Sequence, residues 1–243
     1  MSVFGLLGSG EFEPWSAEVD RLALGRASGD GRVLILPTAS ALEGDEVFDM
    51  WAAKGLAHYA SLDVPAEVIP LKTREDAERE DLAARAGDAS VVYFSGGNPA
   101  YLASTLAGST FWSAVLVGME RGLAYMGCSA GVACLGSAAP DSAVRGFGDH
   151  LWQPGLGVFP GTWFGPHWDA LDSFVPGLTE FIVSSVPAGQ TLLAIDEDTA
   201  VIGEGTEWSV VGASGAHVYR DGAWTDHRSG STFALDLAAQ PAE

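Results

Sequence analysis

The feature that most restricts how this chain can fold is a set of short apolar runs with almost no polar interruption. Residues 32–36 (RVLIL), 91–94 (VVYF), 123–126 (LAYM) and 191–195 (TLLAI) place apolar side chains at successive positions rather than at every second one. Neighbouring side chains on a strand point to opposite faces, so runs of this kind fit strands that are covered on both faces. Residues 3–7 (VFGLL) read as another strand, and 66–71 (AEVIPL) as a weaker one, because Pro70 has no N–H for a ladder. Longer stretches with helical character lie between and after them, at 14–25, 43–60, 74–86, 98–107, 110–121 and 171–186. Asn98-Pro99 suits a helix start, with asparagine as N-cap and proline at the first helical position.

Strand–helix alternation implies a parallel sheet with right-handed crossovers. The tail differs: residues 208–211, 217–220 and 223–225 read as short β segments, punctuated by Gly215 and Asp221-Gly222 and folded as hairpins. No internal repeat or low-complexity linker divides the 243 residues. The expectation is a single α/β domain over 1–243, with helices on both faces of a mostly parallel sheet and a C-terminal antiparallel hairpin appendage.

Charge narrows the partners. There are 12 Lys and Arg against 32 Asp and Glu, a net of −20, which repels nucleic acid and anionic membranes. No apolar run approaches the roughly 18 residues of a membrane helix. Residues 1–10 lack the basic segment of a signal peptide, so a cytoplasmic protein is expected. Two cysteines six apart, Cys128 and Cys134, make neither a disulfide framework nor a zinc site. Gly8-Ser9-Gly10 is not a dinucleotide fingerprint, because position 13 is Glu13 and not glycine.

The strongest chemical signal is Gly127-Cys128-Ser129-Ala130-Gly131, a G-x-S-x-G match that follows an apolar run and precedes a small-residue helix. A nucleophile elbow needs this arrangement: the serine sits on a strained turn at a strand's end, and side chains on the flanking residues would clash. Cys128 lies one position off the elbow centre and is expected behind the turn. A serine nucleophile needs a base. His58 falls in a helix, and His217 and His227 in the tail, which leaves His150 and His167 as the candidates that follow the elbow. His167 lies in Phe164-Gly165-Pro166-His167-Trp168, a loop shielded by aromatic residues. For the acid, Asp141 and Asp149 would give a Ser–Asp–His chain order, whereas Asp196, Glu197 and Asp198 end the run at 191–195. Alternation along a strand turns Glu197 away from its two neighbours.

Taken in order, these segments resemble the S51 serine peptidases, the family of aspartyl dipeptidase (peptidase E) and cyanophycinase. The resemblance covers roughly residues 3–222 and rests on Gly8-Ser9-Gly10-Glu11-Phe12, Leu36-Pro37-Thr38-Ala39-Ser40, Phe94-Ser95-Gly96-Gly97-Asn98, the elbow, the stretch from Gly155 to His167, and Ile195-Asp196-Glu197-Asp198-Thr199-Ala200. It implies a flavodoxin-like sheet related to class I glutamine amidotransferases and a Ser129–His167–Glu197 triad. It further implies an oxyanion hole from the backbone N–H groups of Gly97 and Ala130, substrate contacts from Asn98 and Trp168, and no metal or cofactor. The substrate would be a small peptide or amide; a homodimer is a candidate assembly.

One departure bears on specificity. Those relatives hold an acidic substrate group with arginines shortly after the histidine, but residues 168–180 contain no arginine and three acids. A carboxylate without a cationic partner is costly to bury. A pocket lined by Trp163, Phe164 and Trp168 that takes a neutral or basic group is expected instead; Arg145, on the preceding loop, is not placed by the sequence. The acidic net charge favours a protonated imidazole, so a basic pH optimum is expected. Two rivals stand beside a peptidase: an esterase whose base is His217 or His227, and a non-catalytic ligand-binding relative.

Overall fold

A computed structural model describes residues 2–237. The strands are β1 (Phe4–Leu7), β2 (Val33–Leu36), β3 (Ala66–Val68), β4 (Val91–Phe94), β5 (Ala124–Cys128), β6 (Ala138–Pro140), β7 (Trp152–Pro154), β8 (Thr162–Gly165), β9 (Thr191–Ile195), β10 (Thr199–Glu204), β11 (Glu207–Gly212), β12 (Gly215–Arg220), β13 (Ala223–Arg228) and β14 (Thr232–Ala234). The helices are α1 (Ala17–Arg26), α2 (Asp45–Ser61), α3 (Arg74–Ala77), α4 (Glu80–Ala83), α5 (Pro99–Leu106), α6 (Thr110–Glu120), α7 (Ala130–Ala133), α8 (Leu171–Phe174) and α9 (Leu178–Ser185).

The large sheet has the order β14-β11-β10-β1-β5-β4-β2-β3. Its middle, β1-β5-β4-β2-β3, is parallel throughout, and β10 and β11 extend it antiparallel. The unbroken apolar runs have the expected cause. Leu34, Leu36, Val92, Phe94 and Tyr125 enter one buried cluster, while Val33, Ile35, Val91, Tyr93 and Met126 enter another on the opposite face. Each fully buried side chain of this size contributes about 1.5–3 kcal/mol. Both faces must therefore stay covered, and α1 and α2 pack on one of them with Val19, Ala23 and Tyr59.

Three regions depart from sequence patterning. The run at 191–195, β9, leaves the large sheet and pairs parallel with β8 and antiparallel with β12, in a second sheet of order β13-β12-β9-β8. The antiparallel tail is therefore shared: β11 and β14 widen the large sheet, while β12 and β13 complete the small one. The helical stretch at 171–186 breaks into α8 and α9. Pro176 holds Val175 extended (ψ 106), and Gly177 turns left-handed (φ 83). The stretch at 74–86 also divides, with Thr73 and Asp76 forming a capping box on α3 and the extended Arg79 separating it from α4. Strands β8 and β10 have no signal of their own, being four residues ended by Gly165-Pro166 and a segment that follows three acids. Among the described residues no helix is by itself long and apolar enough to cross a membrane.

Two adjacent parallel pairs, β4–β5 of the large sheet and β8–β9 of the small one, end at the same place. The residues that follow these four strand ends build the site.

Candidate active site

The elbow begins where β5 stops. Ser129 has φ 51 and ψ −105, a conformation that L residues rarely adopt, and its N–H is tied to the Leu7 carbonyl at 3.0 Å. The chain packs too closely here for side chains on the flanking glycines. A Cβ on Gly127 would lie 2.4 Å from the Gly131 oxygen, and one on Gly131 would lie 2.3 Å from the Phe94 oxygen. The spacing of the motif is thus a steric consequence of α7 turning back over β4 and β5. Ser129 is left half-buried, while Cys128 and Ala130 on either side are fully buried.

The strand-end turn after β4 supplies the second wall. Gly97 has φ 140, and a Cβ there would lie 2.3 Å from the Ala39 backbone. Among the described residues, no protein acceptor takes the N–H of Gly97 or of Ala130. Behind both segments sits Glu11, which is buried. One carboxylate oxygen accepts from Gly96 N–H at 2.9 Å, and the other lies 2.9 Å from Cys128 Sγ. Burial, with the charge of Glu11 and the bond to it, pushes the Cys128 thiol well above its usual range, so it stays protonated. Burial likewise pushes Cys134 up to about 12.

The small sheet supplies the partner groups. After β8, Gly165-Pro166 leads to His167, whose φ is 56, and the following Trp168 N–H anchors the loop on the Ile195 carbonyl at 3.0 Å. His167 Nε2 lies 2.8 Å from Ser129 Oγ, and His167 Nδ1 lies 3.1 Å from Glu197 Oε1. A carboxylate accepts only, so Nδ1–H donates to Glu197 and Nε2 is left to accept the Ser129 proton. The Glu197 backbone N–H is held by Asp169 at 2.8 Å. The three consecutive acids lie in the turn after β9, where Asp198 has φ 50, so strand alternation does not extend to them. Asp196 is buried and accepts from Ser214 Oγ and Gly215 N–H in the small sheet, Glu197 faces His167, and the Asp198 N–H bonds Ser9 Oγ.

The remaining candidates bond neither Ser129 nor His167, although Asp141 lines the cavity that opens beside them. Asp141 accepts from Asn98 Nδ2 at 2.7 Å and from Ala143 N–H. Asp149 opens a short helical turn, Asp149–Leu151, beside an exposed His150. His58 is buried against Asp20 at 2.8 Å, His217 lies between Asp196 and Asp226, and His227 stacks on Phe233. None of these four histidines bonds Ser129.

A cavity of about 330 Å³ opens beside Ser129 and His167. Gly97 lines it, but Asn98 does not; that side chain is committed to capping α5 through Tyr101 N–H and to Asp141. Of the three aromatic residues expected on the wall, only Phe164 is there. Trp163 is buried with its Nε1–H on Gln190, and Trp168 packs against Trp224 with ring centroids 5.3 Å apart. Strand alternation explains the pair, since adjacent residues of β8 face opposite ways. Apolar residues from the loop after β6 and from α8 and α9 line one side of the cavity, and Asp141, Ser142 and Arg145 reach it as well. No sequence signal marks these wall residues, because they come from segments whose patterning resembles ordinary core and loop.

The family model described as Peptidase family S51 matches residues 4–211. Among solved structures, the chain is similar to a peptidase from an acI-B1 actinobacterium, at 27% identity and a TM-score of 0.88 over 97% of each chain. It is also similar to a protein of Listeria monocytogenes EGD-e described as a candidate peptidase E, at 19% identity and a TM-score of 0.63 over 88% of this chain and 100% of that one. The second likeness concerns the fold. No curated protein gives a significant match.

Proposed function

The chain belongs to peptidase family S51, and from that premise we propose that it is a serine hydrolase that cleaves a peptide or other amide bond through an acyl-enzyme on Ser129. The observation that carries the reading is the unbroken relay from Ser129 Oγ to His167 (2.8 Å) and from His167 to Glu197 (3.1 Å). Nucleophile and base stand within proton-transfer distance, and the base is oriented by a third group.

In this mechanism Ser129 Oγ attacks the amide carbonyl carbon while its proton passes to His167 Nε2. Glu197 holds the tautomer and stabilises the imidazolium that forms. The carbonyl oxygen, now an oxyanion, takes hydrogen bonds from the N–H groups of Gly97 and Ala130, each worth about 3 kcal/mol of transition-state stabilisation. Collapse breaks the C–N bond, and His167 gives its proton to the departing amine. Water then attacks the acyl-enzyme, gives a proton to His167, and Ser129 leaves with that proton restored.

Labelling with a small fluorophosphonate tests the reading. Wild type is expected to gain one phosphonyl group per chain at Ser129, and Ser129→Ala none. A folded wild type that fails to label would favour the non-catalytic alternative. Parallel digests of a peptide library with the two proteins then define the cleaved bond. The esterase alternative, with His217 as base, has less support, because both ring nitrogens of His217 face aspartates.

A further inference from the structure

Beyond the triad, the walls of the adjoining cavity speak to what the enzyme acts on. Val144, Phe147, Leu151, Phe164, Leu178 and Ile182 surround a space of about 330 Å³ that opens onto Ser129 and His167. Water in this space faces walls that are mostly hydrocarbon, with Asp141 and Arg145 the charged exceptions. The wall is itself reinforced by aromatic contacts: Phe147 stacks on Phe181 at 4.9 Å, and Phe181 on Trp152 at 6.2 Å. The mouth is apolar as well. Phe147 and Val175 are each 43% exposed, and Phe174, 59% exposed, meets the His167 ring edge-on at 5.9 Å. Monomeric surfaces seldom gather such residues without a ligand to cover them.

We propose that this cavity is the acyl-side pocket and that it selects a bulky apolar group, aliphatic or aromatic, on the carbon next to the attacked carbonyl. The inference rests on the serine-hydrolase reading above. Ser129 and Gly97 are part of the wall, so a group seated there lies beside the carbonyl that Ser129 attacks. The acyl group stays bound through both half-reactions, so its burial stabilises both transition states.

The competing choice is an acidic group held by Arg145, which lines the same cavity and has no ion pair among the described residues. Magnitudes decide against it. Arg145 is exposed, and an exposed ion pair is worth at most about fivefold in binding. Each buried methylene is worth about threefold once ordering costs are deducted, so three methylenes already exceed the ion pair. A carboxylate placed any deeper would be desolvated among hydrocarbon without a partner.

Alkyl fluorophosphonates of increasing chain length test this without the need for a substrate. Ser129 Oγ bonds to phosphorus, the P–F bond breaks, fluoride leaves and the serine proton goes to His167. The second-order inactivation rate is expected to rise about threefold per methylene, roughly 100-fold from propyl to heptyl. Val175→Trp, a change at the rim of the pocket, should flatten that rise, lowering the heptyl-to-methyl rate ratio about tenfold. A chain-independent rate in wild type, with labelling intact, overturns the pocket but not the hydrolase. Faster labelling by an ω-carboxyalkyl reagent than by an alkyl one of equal length, abolished in Arg145→Gln, overturns it in favour of an acidic acyl group. Absence of labelling at every chain length would instead overturn the hydrolase reading itself.

Discussion

The two parallel strand pairs that meet at the site do their work by different means. At the ends of β4 and β5, position is set by backbone: Ser129 is held at φ 51, Gly97 at φ 140, and the elbow glycines leave no room for a Cβ. At the ends of β8 and β9 the loop backbone is constrained as well, with His167 at φ 56, but the His167 and Glu197 side chains meet through a hydrogen bond near the surface, 26% and 41% accessible. A backbone held by steric contact cannot adjust when it is altered, so changes at the first pair should disturb fold and activity together. Groups held by hydrogen bonds at a surface are separable from stability. In the proposed mechanism the contrast would pair a rigid nucleophile with a base that can be removed while the core stays intact.

The largest expected effect lies at the second pair. His167→Ala removes the proposed base, and kcat should fall by about 10⁴–10⁶-fold, while the melting temperature moves by no more than a few degrees. A comparable loss of stability would place His167 in the structural class and break the contrast. Glu197→Gln should cost about 10³–10⁴-fold in kcat, because an amide can donate to Nδ1 and so favour the wrong tautomer. Its neighbour Asp196 gives the converse. Asp196→Asn weakens buried bonds to Ser214 and Gly215 and should cost about 2 kcal/mol in a denaturant melt. Its kcat should fall far less than that of Glu197→Gln. Equal kinetic losses at 196 and 197 would mean that the two acids are not divided as their orientations suggest.

Smaller in kcat, but felt in both measurements, is Gly97→Ala. The added methyl meets the Ala39 backbone and strains φ 140, which should destabilise by about 2–3 kcal/mol. Displacement of the N–H should lower kcat by about 10²–10³-fold. Activity retained at wild-type level would remove Gly97 from the oxyanion hole.

The apolar runs make both strands of the first pair readable but only β9 of the second, and the site groups of that second pair only through resemblance. VVYF and the G-x-S-x-G turn carry their cause in their composition, since a two-faced buried strand and a sterically crowded elbow each admit few residue types. His167 and Glu197 carry no such mark. Spacing alone leaves His150 beside His167, because a loop histidine is oriented by a strand, β8, too short to show periodicity. The acid is not settled by alternation, because residues 196–198 form a turn beyond β9, and the partner that Glu197 faces is fixed only when β9 joins the small sheet. The cavity is least readable. Trp163 and Trp168 look like its wall, yet pack elsewhere, while Val144, Leu178 and Ile182 have the pattern of any buried segment.

The least of the expected effects concerns a strut behind the acid. His217 Nδ1 lies 2.8 Å from Asp226, and its Nε2 lies 3.2 Å from Asp196. Burial alone would lower its pKa, but the hydrogen bonds to Asp226 and Asp196, and their charges, outweigh it and raise the value above the ordinary histidine range. A folded-state value above the unfolded one means that the pair's contribution is complete below about pH 6.5 and is lost as pH rises through the higher folded value. The stability difference between wild type and His217→Gln should therefore be greater at pH 5.5 than at pH 9. Asp226 is 73% exposed, so the change should stay below about 1 kcal/mol. Paired chemical denaturation at the two pH values reads it; a difference that is constant, or larger at pH 9, would mean that His217 is not held as a cation. The proposed base has the opposite need, because His167 must be neutral to accept the Ser129 proton.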